Sequence, residues 1–176
     1  MAESWPAGGF ANAERSFAAA AERHLDEVYG YLLYLTGDAT VAEDLTGETF
    51  ERAFRRWRRF NPRRGSAKTW LCELARSTAL DHFRSERRRR RREESAGGWE
   101  REAGESRFGE GLSPELEDGL RRLSAGEREV IALRVLLDLD DAAAARLLGI
   151  SKTACSTRFS RALSKLEAFV KGEVHV

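Results

Sequence analysis

Residues 140–169, DDAAAARLLGISKTACSTRFSRALSKLEAF, constrain the fold more than any other stretch, because they read as two helices joined by a tight corner. Asp140 can cap a first helix with Ala144, Ala145, Leu147 and Leu148 on its apolar side, and Gly149 follows where a left-handed residue ends it. Ile150 plugs the corner. Ser151 is a good N-cap for a second helix, in which Cys155, Phe159, Ala162, Leu163, Leu166, Phe169 and Val170 recur at helical spacing, so one side is buried. The opposite side carries Lys152, Thr153, Ser156, Thr157, Ser160, Arg161 and Ser164. Short polar and basic groups of this kind suit phosphate oxygens and base edges. The pattern is that of a helix-turn-helix; a helical hairpin with a merely solvated face shares much of it, and Gly-Ile-Ser at the corner favours the former.

Charge sharpens this. The net charge of +1 hides an uneven distribution: residues 10–92 hold 18 basic and 12 acidic side chains, 93–118 hold 2 and 9, and 119–176 hold 10 and 7. Two basic segments flanking an acidic one point to polyanion contact by the flanks. No apolar run reaches the roughly 20 residues of a membrane span, so a cytoplasmic protein is expected. Cys72 and Cys155 lie far apart, each on an apolar helical stripe, and His24, His82 and His175 do not cluster, so neither disulfide, metal site nor cofactor is expected.

The remaining chain reads as helix. Residues 1–11 include Pro6, Gly8 and Gly9 without periodicity and read as a disordered lead-in. From 14 to 35, Phe17, Ala21, Leu25, Val28, Leu32 and Leu35 step by three or four, stopping near Gly37. Asp38 or Thr40 can cap a second helix with Val41, Leu45, Thr49, Ala53, Phe54 and Trp57 on one side. Its other sides carry Asp44, Glu48, Glu51, Arg52, Arg55 and Arg56. A loop at 60–66, FNPRRGS, precedes a third helix with Trp70, Leu71, Leu74, Ala75, Thr78 and His82 on one side. Six consecutive arginines, 87–92, end it, and they fit either a polyanion contact or a solvated helix end. The glycine- and glutamate-rich stretch that follows cannot bury enough surface to order itself. Pro114 then opens the last helical set, with Leu116, Leu120, Leu123, Val130, Leu133 and Leu137 leading to the helix-turn-helix. The expectation is an all-α chain: a lead-in at 1–11, a helical domain at 12–92, a flexible acidic linker at 93–113 and a helix-turn-helix domain at 114–176.

The order of several short motifs carries a family resemblance. Leu35, Gly37 and Asp38, then Ala42, Asp44, Leu45, Glu48, Phe50, Arg52 and Ala53, then Lys68, Trp70, Leu71, Ala75, Arg76, Asp81 and Arg84 match in the first domain. Leu123, Glu127, Val130, Leu133, Arg134, Leu148, Gly149, Ser151, Arg158 and Ala162 match in the second. In these residues the chain resembles the extracytoplasmic-function (ECF) sigma factors of the sigma-70 superfamily, with a region 2 like and a region 4 like domain. The resemblance implies a non-enzymatic subunit that directs promoter recognition and DNA melting in transcription initiation. Its implied partners are promoter DNA, core RNA polymerase through the clamp helices of the largest subunit and the flap, and an anti-sigma factor. By similarity, Asp44, Glu48, Glu51, Arg52 and Arg55 would dock on polymerase. Asn61, Arg63, Arg64, Lys68, Trp70, Arg76 and Arg84 would serve the minus-ten element, and Lys152, Thr153, Ser156, Thr157, Arg158, Ser160 and Arg161 the minus-thirty-five element. Trp70 fits the apolar stripe as well as a stacking role. The chain departs from the family at Gly47, usually glutamine, at Ser77, usually asparagine, at Ser156, commonly basic, and at Asp141 to Ala144, where Tyr-x-Glu-Ile is usual. Two other readings of the residues are a regulator that binds duplex DNA alone and a sigma-like protein-interaction module.

Overall fold

The computed structural model describes residues 7–95 and 112–171. Among these, α1 (Ala7–Thr36), α2 (Ala39–Arg56), a 3-10 turn (Trp57–Arg59) and α3 (Ala67–Ser95) form the N-terminal unit. The C-terminal unit holds α4 (Pro114–Arg122), α5 (Ala125–Ile131), a π-helical turn (Ala132–Leu136), α6 (Asp141–Leu148) and α7 (Lys152–Val170). The all-α expectation holds among the described residues. Helix α1 starts earlier than its sequence suggests, so residues 7–11 are helical rather than disordered. Extending an existing helix gains one hydrogen bond per residue without a new nucleus, which offsets the roughly 1 kcal/mol cost of each glycine. Residues 1–6 of that lead-in lie outside the described residues. So do residues 96–111 of the expected linker, whose first three residues finish α3.

Local chemistry sets the helix ends. Gly37 leaves α1 at φ +65°, and the Asp38 side chain caps α2 by accepting from the Val41 N–H at 3.0 Å. Thr40 lies inside α2 and caps nothing. Ser113 precedes Pro114 at the start of α4, and Ser124 and Glu127 form a capping box at the start of α5. Asp140 caps α6 through the Ala143 N–H at 2.7 Å, Gly149 ends it at φ +66°, and Ser151 caps α7 through Ala154 at 3.1 Å. These caps place the corner where the sequence puts it.

Packing follows the stripes. Val28, Tyr31 and Leu32 of α1 are buried with Ala42, Leu45 and Ala53 of α2 and with Leu71, Cys72, Ala75 and Ala79 of α3. Leu25 and Phe54 lie at the stripe margins and remain 46% and 52% exposed. In the C-terminal unit the core is Leu120, Leu123, Val130, Leu133, Leu137, Ala144, Leu147, Cys155, Ala162 and Leu166. Helices α4 and α7 approach closely at Gly119, where an added Cβ would sit 3.2 Å from Leu166 Cδ2.

The two units touch. Helix α1 packs on the π-helical turn, and Arg76 of α3 grips Glu129 of α5 with Nε 2.7 Å from one carboxylate oxygen and Nη2 3.4 Å from the other. The fully buried Tyr31 faces the same carboxylate, and burial, reinforced by the charge of Glu129, pushes its phenol well above its usual range.

Gly47 offers a clean test of helix propensity. It is exposed in the middle of α2, and an added Cβ would meet nothing within 4 Å. Gly47→Ala is expected to stabilise the protein by about 1 kcal/mol, read as a higher urea midpoint at unchanged slope. A midpoint that falls would mean that the added methyl group meets a crowded surface.

Candidate nucleic-acid interface

Helix α7 presents its polar face to solvent. Lys152, Thr153, Ser156, Thr157, Ser160 and Arg161 are all exposed, while Cys155, Ala162 and Leu166 are buried beneath them. The structure thus brings six of the seven residues assigned to this helix onto an open surface. Arg158 differs. It is half-buried and lies across the first turn of α5, with Nη1 3.3 Å from where a Cβ on Gly126 would stand. Its stem packs inside the unit, leaving Lys152 and Arg161 as the open cations of this face.

The helix is braced from behind. Lys165 on α7 binds Glu127 of the capping box at 2.6 Å, and Glu127 also accepts from the Ser124 N–H and hydroxyl, each at 2.9 Å. The Lys165 hydrogen bond first, then those from Ser124, lower the Glu127 pKa to about 2. On the other flank, Arg134 of the π-helical turn lies over the Phe159 ring at 5.3 Å, approaches Asp141 at 3.3 Å and donates to the Leu139 carbonyl. The turn itself closes through Leu137 N–H to Ala132 O at 3.0 Å. Asp141 therefore supplies a carboxylate at the start of α6, although its neighbours Ala142 to Ala144 carry none.

In the N-terminal unit the loop at 60–66 is open. Asn61 shapes it by accepting from the Arg63 N–H at 2.9 Å, and Asn61, Arg63 and Arg64 are exposed. Neither arginine has an ion-pair partner among the described residues. Trp70 is half-buried in an aromatic cluster, 5.8 Å from the Trp57 ring and 5.5 Å from Phe60. That makes it a wall that supports the loop.

The assigned residues of α3 do not share one face. At about 100° per residue, Lys68 and Ser77 point in opposite directions and Arg76 points to the side. The contacts agree: Lys68 reaches back to Glu27 of α1 at 2.7 Å, and Arg76 is held by Glu129. The open face of α3 is instead Trp70, Glu73, Ser77 and Arg84, and Arg84 is exposed beside Asp81 at 3.4 Å. Sequence reasoning assigned Lys68 and Arg76 from the resemblance and their charge, and neither reveals a partner 41 or 53 residues away. Helical phase does separate them from Ser77.

On α2, Glu51 and Arg55 pair at 2.5 Å, and Arg52 bridges Glu48 at 2.6 Å and Asp81 of α3 at 3.4 Å. With exposed Asp44 they form a mixed-charge strip on the side away from the core. Such a strip suits a charged protein surface better than a polyanion.

Two surfaces of one chain thus expose polar and basic groups, and a third exposes mixed charge. The family model for sigma-70 region 2 matches residues 20–89 and that for sigma-70 region 4 matches residues 114–166. The chain belongs to the sigma-70 family. Its relatives include the ECF RNA polymerase sigma factor BldN of Streptomyces coelicolor, 34% identical over 149 residues, a match spanning 82% of this chain and 56% of BldN. The ECF RNA polymerase sigma factor SigC of Mycobacterium tuberculosis is 34% identical over 144 residues, covering 81% of this chain and 76% of SigC. Among solved structures, the sigma factor RpoE of Bartonella quintana, in complex with the anti-sigma factor NepR, superposes with a TM-score of 0.69 at 25% identity. That superposition covers 89% of this chain and 98% of RpoE. The region 2 match ends within the arginine run, and the region 4 match starts at the Pro114 that opens α4. Among the described residues no helix is long and apolar enough to cross a membrane.

Proposed function

We propose that this ECF-type sigma factor directs core RNA polymerase to promoters and helps open them, with no chemistry of its own. One observation carries the reading: the chain exposes polar and basic groups on two separate surfaces, the α7 face and the loop at 60–66, on units that match regions 2 and 4 in order. A regulator that reads duplex DNA alone has no use for the second surface. In this reading α7 enters the major groove of the minus-thirty-five element, and Asn61, Arg63 and Arg64 meet the minus-ten element, where trapped single strand drives melting. The mixed-charge strip of Asp44, Glu48, Glu51, Arg52 and Arg55 docks on the clamp helices of the largest subunit, and the C-terminal unit touches the flap. The acidic, glycine-rich segment after the arginine run separates the two units as a tether, and the cytoplasm is the site of action. An anti-sigma factor is a further partner, supported by the solved complex of RpoE with NepR.

The test is transcription in vitro with core polymerase. Specific starts that core alone does not make are expected; tight, specific duplex binding by the free chain without polymerase association would overturn the reading.

The α7 assignment has its own test. Ser156 lies exposed one turn beyond Lys152, on a face with few open cations. Ser156→Lys is expected to tighten DNA binding across many sequences and to steepen its salt dependence by about one unit in the log–log slope. An unchanged slope would place the DNA on another face.

A further inference from the structure

A groove of about 380 Å³ lies between the 3-10 turn and α3, lined by Arg56, Arg59, Trp70, Glu73, Leu74 and Ser77. Its chemistry is unusual for a surface groove. Trp70 and Leu74 form an apolar wall, and Arg56 and Arg59 stand exposed at its rim. The Glu73 carboxylate is exposed too, and among the described residues none of these three charges has an ion-pair or hydrogen-bond partner. Two unpaired guanidinium groups beside an unpaired carboxylate and an aromatic wall match a nucleotide in parts: phosphate, base edge and base face.

We propose that this groove takes one unstacked nucleotide of the open promoter strand, and that Glu73 selects guanine there. The proposal rests on the promoter reading above and adds a base preference to it. An ionised carboxylate only accepts hydrogen bonds. Of the four bases, guanine alone presents two adjacent donors on its Watson–Crick edge, N1–H and the N2 amine, which match the two carboxylate oxygens. Adenine and cytosine set a ring-nitrogen lone pair beside their amine, and thymine sets its single N–H between two carbonyls, so each turns at least one acceptor lone pair toward the carboxylate. That edge is open only in single strands, which ties the selection to melted DNA. Arg56 and Arg59 hold the flanking phosphates and carry no base information, and Ser77 lines the same groove with a small side chain.

The experiment uses the full chain with core polymerase on a promoter library randomised across the melted region, with transcripts sequenced. The wild type is expected to favour guanine at one non-template position. Glu73→Gln, whose amide offers one donor and one acceptor, is expected to lower that preference about tenfold while other positions keep theirs. Inosine at that position, which lacks the N2 amine, should weaken transcription by the wild type and make no difference to the Glu73→Gln protein. Arg56→Ala and Arg59→Ala should lower transcription from all library members alike. Glu73→Gln with unchanged preferences at every position would overturn the proposal and leave the promoter reading standing. A wild type that selects no promoter from the library would overturn the promoter reading itself.

Discussion

Glu127→Ala is expected to destabilise the C-terminal unit by about 2 kcal/mol and to lessen its loss of stability in acid. Glu127 is only 9% exposed and holds three donors: the Ser124 N–H and hydroxyl and the Lys165 ammonium. Losing the capping-box carboxylate alone is worth about 1 kcal/mol, and the pair to Lys165, which is 53% exposed, adds a fraction of that. The rest comes from leaving the Ser124 N–H at a partly buried helix start without its partner. The pH sign follows from the direction of the shift. The Glu127 pKa falls from 4.5 to about 2 on folding, so its contribution is fully present above pH 4.5 and is lost as the pH falls from there toward 2. Urea denaturation of the wild type between pH 6 and pH 3 should therefore show a steeper decline than that of Glu127→Gln. Parallel declines would mean that Glu127 is not held ionised in the folded protein. Lys165 also ties α5 to the back of α7, so the variant is expected to hold the exposed polar face of α7 less rigidly.

The elements that were legible in the sequence are those whose causes are local. Asp38, Pro114, Asp140, Gly149 and Ser151 each act within four residues of their own position, and each stands where its type predicts. The exposed face of α7 was legible for the same reason, since its buried stripe is set by helical spacing. The π-helical turn was not, because its extra residue is held by Arg134 reaching Phe159 and Asp141 on other elements. Nor was the fate of three basic residues on the candidate surfaces. Lys68, Arg76 and Arg158 read as phosphate ligands by charge, and each is turned inward by a partner or packing surface on another helix. Glu73 escaped notice for the converse reason: an acid among arginines suggests an ion pair, and the fold leaves it without one.

Breaking the Arg76–Glu129 pair is expected to release the two units from each other. Both side chains are mostly buried, at 24% and 16% exposure, and the pair is the charged contact that joins α3 to α5. Removing one partner leaves the other charge in a partly dry interface, and in the case of Glu129→Ala it also leaves the buried Tyr31 hydroxyl without the carboxylate it faces. Each single variant, Arg76→Ala or Glu129→Ala, should cost about 2–3 kcal/mol, with a coupling of at least about 1 kcal/mol in the double-mutant cycle. Small-angle scattering should show a larger radius of gyration, and amide exchange should quicken in α5 and along the facing turns of α3. The charge-swapped protein, Arg76→Glu with Glu129→Arg, should recover part of the compaction, which separates a lost contact from a general loss of fold. If the units met only by chance, the single variants would keep the wild-type radius and exchange pattern. The contact also bears on promoter binding, since Arg76 sits on the helix whose open face lines the groove. In the proposed reading the two units reach separate promoter elements, and the released variants are then expected to assemble with core polymerase faster at equal concentration.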